Sequence, residues 1–173
     1  MARRSDFASN FVVDVTPLRK APGSVLRVER SGPLPGLALS ACAVAEGDEV
    51  AVDAELAWAS DDVVVTATVR ASWTGQCRRC LGDAAGEVNA SVREVYEPTS
   101  DGEETYALSG SQVDLGLLVR DAVLLQLPPA PLCEDGCLGL CPVCGVNRNE
   151  TRCSCEISSP DPRWAALDAL RDT

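Results

Sequence analysis

Val63-Val64-Val65-Thr66-Ala67-Thr68-Val69-Arg70-Ala71-Ser72-Trp73 decides the fold. Val63, Val65, Ala67, Val69, Ala71 and Trp73 share one side of an extended chain, and Thr66, Thr68, Arg70 and Ser72 share the other. Alternation with a period of two predicts a strand in a sheet with one buried face. Upstream, beyond Ser60-Asp61-Asp62, Val50, Val52, Ala54, Leu56 and Trp58 alternate with Ala51, Asp53, Glu55 and Ala57. Downstream, Val88, Ala90 and Val92 alternate with Asn89, Ser91 and Arg93. The connections are short, which favours antiparallel order. Trp58 and Trp73 lie on the apolar side and are expected in the core.

Outward from this centre the signals weaken. Residues 11–16 and 25–30 read as short strands separated by Pro17 and the Pro22-Gly23 turn, and residues 31–36 read as irregular. Residues 96–111 read as an acidic loop. The period then changes: Leu115, Leu118, Val119, Ala122 and Leu125 form a helical stripe, with Asp114 as N-cap and Pro128-Pro129 as terminator, predicting a helix over 114–127. Pro160-Asp161-Pro162 introduces a short last helix carrying Trp164, Leu167 and Leu170. The expected fold class is α+β: an antiparallel sheet with one main helix and a zinc-bound cysteine knuckle toward the C-terminus. The expected parts are residues 1–132, sheet and helix, and residues 133–173, the cysteine-rich knuckle and a terminal helix packed on the first part.

Composition narrows the function. Aromatics are only 4% of the 173 residues, so the core rests on Val, Leu and Ala, and metal staples gain value. There is no histidine, which excludes Ser-His-Asp and Cys-His catalysis and histidine acid–base chemistry. The formal net charge is −11, so long-range repulsion opposes non-specific binding to polyanions. Asp6 and Asp14 interrupt any apolar signal segment, and no uncharged stretch is long enough to span a bilayer. A cytoplasmic protein with no membrane contact is expected. In that compartment thiols stay reduced, and cysteine pairs read as metal ligands or redox groups.

Eight of the nine cysteines fall into pairs: Cys77 and Cys80, Cys133 and Cys137, Cys141 and Cys144, Cys153 and Cys155. Structural zinc takes four ligands in a tetrahedron, so eight thiolates make two complete sites and a cofactor of two Zn²⁺ ions is expected. The preferred partition is Cys141, Cys144, Cys153 and Cys155 as a local site. Cys77, Cys80, Cys133 and Cys137 would then pin the sheet to the segment after the helix. Pro142 pre-sets the turn and Gly145 supplies positive φ. A thiol–disulfide pair at Cys77 and Cys80, and an iron–sulfur cluster, use the same residue types and stay open at this point. Cys42 lies among small apolar residues and is read as a buried structural thiol.

Arg78 and Arg79 stand in the first cysteine turn, Arg148 and Arg152 beside the second, with Asn147 and Asn149 flanking Arg148 and adding polar reach. They are candidate contacts to RNA or a partner, although balancing thiolate charge is the plainer role. Glu94, Glu97, Asp101, Glu103 and Glu104 read as a solvated acidic loop suited to a basic partner. No catalytic residue and no small-molecule substrate are expected.

Several pieces together resemble the YceD-type family of large ribosomal RNA subunit accumulation proteins. They are Cys77-Arg78-Arg79-Cys80-Leu81, the helix from Val113 to Pro128, Leu138-Gly139-Leu140-Cys141-Pro142-Val143-Cys144-Gly145, Asn147, Cys153-Ser154-Cys155 and Asp161-Pro162-Arg163-Trp164, covering roughly residues 73–170. The resemblance implies a bacterial-type cytoplasmic protein needed for large-subunit ribosomal RNA accumulation, and no known reaction. The expected partner is ribosomal RNA or a pre-ribosomal particle, reached through a basic ribosomal protein bound to the acidic body. A zinc-dependent adaptor of another complex, or a redox protein using Cys77 and Cys80, are the rival readings.

Overall fold

The computed structural model describes residues 8–21, 23–100, 104–156 and Arg163. Its centre is a meander of three long strands: β4 (Val50–Ala59), β5 (Asp62–Gln76) and β6 (Asp83–Glu97). β5 pairs antiparallel with β6 without a break from Val63↔Tyr96 to Gln76↔Asp83. The other side of β5 pairs with β4, and β2 (Val25–Gly32) closes that edge antiparallel to β4. This is the α+β architecture that the alternation predicts, with the buried side chains on a single face.

That face carries Val50, Val52, Ala54 and Leu56 from β4, Val63, Val65, Ala67 and Val69 from β5, and Val88, Ala90 and Tyr96 from β6, all buried. Helix α2 (Leu115–Gln126) packs on it through Leu115, Leu118, Val119, Ala122 and Val123. Asp114 caps the helix, its Oδ1 accepting from Gly116 N at 2.8 Å. The opposite face is solvated, and opposite charges there sit on paired strands: Arg27 with Glu55 at 2.8 Å, and Arg70 with Asp53. Such exposed pairs add little stability. Their main effect is to keep this face polar.

Several local expectations are corrected. The stretch 11–16 is a 3-10 turn (Ala8–Phe11), a short strand β1 (Val12–Asp14) and the start of helix α1 (Thr16–Lys20). Pro17 sits in the first turn of α1, where its fixed φ favours the helix, and Asp14 Oδ1 accepts from Thr16 N at 2.8 Å. β1 pairs with β8 (Gln112–Asp114), tying the N-terminal segment to the start of α2. β2 runs on to Gly32. Cys42 and Ala43 form a short strand, β3, against the end of β5. The acidic loop contains β7 (Tyr106–Ala107), paired parallel to the end of β6, so the sheet is not purely antiparallel. The Tyr96 and Tyr106 rings stack there, with centroids 5.1 Å apart.

Leu125 belongs to the predicted core stripe but is 86% exposed; Val123 is buried in its place. Trp58 is half-buried at the rim, under the Arg19 guanidinium, and its Nε1 donates to Ser60 O at 2.6 Å. Trp73 is also half-buried. It packs against both the main core and a satellite cluster of Cys77, Ala84 and Cys137. The predicted helix with Trp164, Leu167 and Leu170 lies outside the described residues, as does Pro22.

Candidate metal centres

The β5–β6 connection is the first cysteine turn. Cys77 N donates to Gly82 O at 2.8 Å, and Leu81 N donates back to Cys77 O at 2.9 Å. The second turn repeats this pattern: Cys141 N donates to Val146 O at 2.9 Å, and Gly145 N to Cys141 O at 2.9 Å. Leu81 and Gly145 both have positive φ, 61° and 73°. Each turn therefore folds back over its first cysteine and lets backbone N–H groups converge on that sulfur.

The sulfurs gather in two groups. Cys77, Cys80, Cys133 and Cys137 form one, and Cys141, Cys144, Cys153 and Cys155 form the other, with the sulfurs in each group within 4.8 Å of one another. Cys77 and Cys137 Sγ are 3.7 Å apart, and Cys80 and Cys133 Sγ are 3.6 Å apart. Four thiolates arranged as a tetrahedron about 2.3 Å from a Zn²⁺ ion have sulfurs about 3.8 Å apart, so the spacing in the first group fits such an ion. Each group has the size and donor chemistry to hold one metal ion. None of the nine cysteines forms a disulfide.

The electrostatics of crowded thiols point the same way. Backbone N–H groups, that of Cys80 first, hold the Cys77 thiol down to about 6. Those of Cys144 and then Val143 hold Cys141 down to about 6. Cys133 is pushed up to about 12, first by sharing a hydrogen bond with Cys137, and Cys155 up to about 12, first through Cys144. Four negative charges at this spacing repel strongly, and a divalent cation among them would relieve that repulsion.

The two groups are mounted differently. Cys77, Cys137 and Cys141 are buried, whereas Cys133 and Cys144 are exposed. The first group joins the sheet to the segment after α2: Arg78 N donates to Pro131 O at 2.9 Å, and Leu140 N donates to Arg79 O at 3.0 Å. Gly139, at φ 71°, lies against Arg79; an added Cβ would stand 3.0 Å from Arg79 O.

The four arginines divide. Arg79 Nη1 donates to Cys137 O at 3.0 Å, so this side chain braces the first group. Arg148 approaches the same point through its backbone, its N–H donating to Gly139 O at 2.9 Å. Arg78 and Arg152 have exposed side chains. Asn147 and Asn149 are engaged in the loop: Asn147 Nδ2 donates to Glu150 Oε1 at 2.7 Å, and Asn149 N donates to Asn147 Oδ1 at 3.1 Å. Asn149 also reaches the first group, where its Nδ2 donates to Cys137 Sγ at 3.2 Å. Sequence reasoning gave Asn149 only a surface role; its position between two cysteine pairs was the available signal. Cys42 belongs to neither group: it is buried, its Sγ donates to Pro128 O at 3.2 Å, and burial pushes its thiol up.

No helix among the described residues is long and apolar enough to cross a membrane. No solved structure matches the chain significantly. An uncharacterized protein of Mycobacterium tuberculosis is 31% identical over 175 residues, covering 92% of this chain and 81% of the relative. One of Mycobacterium leprae is 30% identical over 171 residues, covering 92% and 76%. A chloroplastic large ribosomal RNA subunit accumulation protein of Arabidopsis thaliana, YCED homolog 1, is 31% identical over 61 residues, covering 35% of this chain and 19% of the relative. The model of the family described as large ribosomal RNA subunit accumulation protein YceD matches residues 65–171, a span that holds both cysteine groups and α2. The chain belongs to the YceD family.

Proposed function

We propose that this protein is a non-enzymatic, cytoplasmic factor supporting large ribosomal RNA accumulation and large-subunit assembly, folded around two Zn²⁺ ions. Cys77, Cys80, Cys133 and Cys137 would hold one ion, and Cys141, Cys144, Cys153 and Cys155 the other. The observation that carries this reading is the pair of four-sulfur groups inside the segment matched by the family model. Sites with four thiolates leave no open position for substrate, which suits a structural role rather than a catalytic one. The charge of −11 fits indirect action, in which the acidic body holds a basic ribosomal protein. Arg78, Arg148 and Arg152 are then the side chains available for RNA contact, since Arg79 is committed to Cys137.

Depletion of the protein tests this. Large-subunit ribosomal RNA should fall relative to small-subunit RNA on a sucrose gradient. The wild-type chain should restore the ratio and a C77S/C80S variant should not. An unchanged ratio after depletion rejects the proposal.

A further inference from the structure

Asn149 belongs by sequence to the second cysteine group, in the loop between Cys144 and Cys153, yet its side chain is spent on the first. Its Nδ2 donates to Cys137 Sγ at 3.2 Å, and its Oδ1 accepts from Leu138 N at 2.7 Å. An N–H aimed at a ligand sulfur stabilises the thiolate that a metal ion requires.

The placement of Asn149 depends on its own loop. Asn149 N donates to Asn147 Oδ1 at 3.1 Å, while Thr151 N and Glu150 N donate to Asn147 O at 3.0 and 3.2 Å. Asn147 in turn bridges to Leu140, next to Cys141. The ends of this loop, at Cys144 and Cys153, are brought together at the second sulfur group. An ion there would close the loop and restrict its conformational freedom, and so favour the position of Asn149 against Cys137.

We propose that Asn149 is a positioning residue that couples the two metal sites, so that filling the second strengthens the first. This rests on the reading of both sulfur groups as metal sites. Coupling between two binding equilibria is reciprocal, so filling the first site strengthens the second by the same factor. Loss of an outer hydrogen bond to a ligand typically weakens a site about 10- to 100-fold, which sets the scale of the coupling.

Co²⁺ titration of the metal-free full-length chain, read by its thiolate charge-transfer and d–d bands, tests the proposal. A C153S/C155S variant retains only the first site and a C77S/C80S variant only the second. The product of the two wild-type binding constants should exceed the product of the single-site constants about tenfold or more. In Asn149→Asp, which keeps the acceptor for Leu138 N but presents a carboxylate to the sulfur, the chain should still bind two ions. The excess should there fall to about twofold or less. Asn149→Ala should behave likewise, and far-ultraviolet dichroism will show whether each variant keeps its sheet. If wild type shows no cobalt–thiolate bands, both the metal reading and the coupling fail. If it binds two ions with a product equal to that of the single-site constants, or if the Asn149 variants keep the full excess, the coupling alone is overturned.

Discussion

Leu81 and Gly145 occupy one and the same backbone position in the two cysteine turns: each directly follows the second cysteine, at φ 61° and 73°, and each donates its N–H to the carbonyl of the first cysteine at 2.9 Å. Only one of them is the residue this conformation prefers. A left-handed non-glycine residue costs about 1–2 kcal/mol, and the extra freedom of glycine in the unfolded chain takes back about 0.4–1 kcal/mol. Leu81 is 55% exposed, so removing its side chain sacrifices little packing. Leu81→Gly should therefore leave the metal-loaded protein unchanged or up to about 1 kcal/mol more stable in denaturant unfolding. Gly145→Ala should lose about 1 kcal/mol through strain alone, since an added Cβ there meets nothing within 4 Å. A clear destabilisation by Leu81→Gly would mean that the leucine side chain makes contacts that this account lacks.

The first turn is also held from below. Gly75 pairs with Cys42, and a Cβ at Gly75 would stand 2.3 Å from Ala41 O and 2.6 Å from the Cys42 Cβ. Neither neighbour is the end of a flexible chain, so β3 must move. Gly75→Ala should lower unfolding free energy by about 1–3 kcal/mol, the usual cost of overpacking. Gly136→Ala, where an added Cβ meets nothing within 4 Å, should stay within about 0.5 kcal/mol of wild type. Equal stabilities for the two variants would refute the close approach of β3.

The sheet, the main helix and the cysteine pairs were legible in the sequence because each carries a local signal. The alternation from Val63 to Trp73 exposes its burial pattern directly, and Asp114 before Leu115 announces a cap. What escaped depends on distant neighbours. β3 and β7 are too short to show a period; they exist because β5 and β6 run long enough to offer them an edge. Leu125 has the right spacing to be buried but is exposed on α2, so periodicity alone misplaced it. Pro17 read as a breaker and instead opens α1. The contact of Asn149 with Cys137 was illegible because it requires two turns, separate in sequence, to pack together.

Tyr96 links the sheet to the helix start and sets an alkaline limit. Its hydroxyl donates to Asp114 O at 3.0 Å, and the side chain is buried. Burial first, then the nearby Tyr106, Asp114, Glu94 and Asp121, push its hydroxyl well above the ordinary value of 10. The folded pKa is raised, so this contribution to stability is complete below pH 10 and is lost as pH rises beyond it. Tyr96→Phe should cost about 1 kcal/mol at pH 8 through the lost hydrogen bond. It should also flatten the fall in stability between about pH 10 and 11, because phenylalanine does not ionise. Denaturant curves at a series of pH values measure both effects. Parallel losses in the two proteins above pH 10 would remove Tyr96 from the account.

Removal of metal should divide the molecule rather than unfold it whole. The main core, which includes Phe11, Leu56, Val65, Leu115 and Val119, contains no cysteine from either sulfur group. Each such fully buried side chain contributes about 1.5–3 kcal/mol whether or not an ion is present. The satellite cluster is different: Cys77 and Cys137 form it with Ala84, so it depends on the first group. Residues 133–156 contain no named helix or strand, and their order rests on turns, on the hydrogen bonds to Arg79 and Gly139, and on the sulfurs. On chelation, hydrogen exchange should accelerate at residues 77–82 and 133–156, while amides of β4, β5 and the middle of β6 stay protected. Trp73, which touches both clusters, should report the change by fluorescence. A uniform loss of protection that reached β4 would show that the ions hold one cooperative unit, and the boundary drawn near residue 132 would have no energetic meaning.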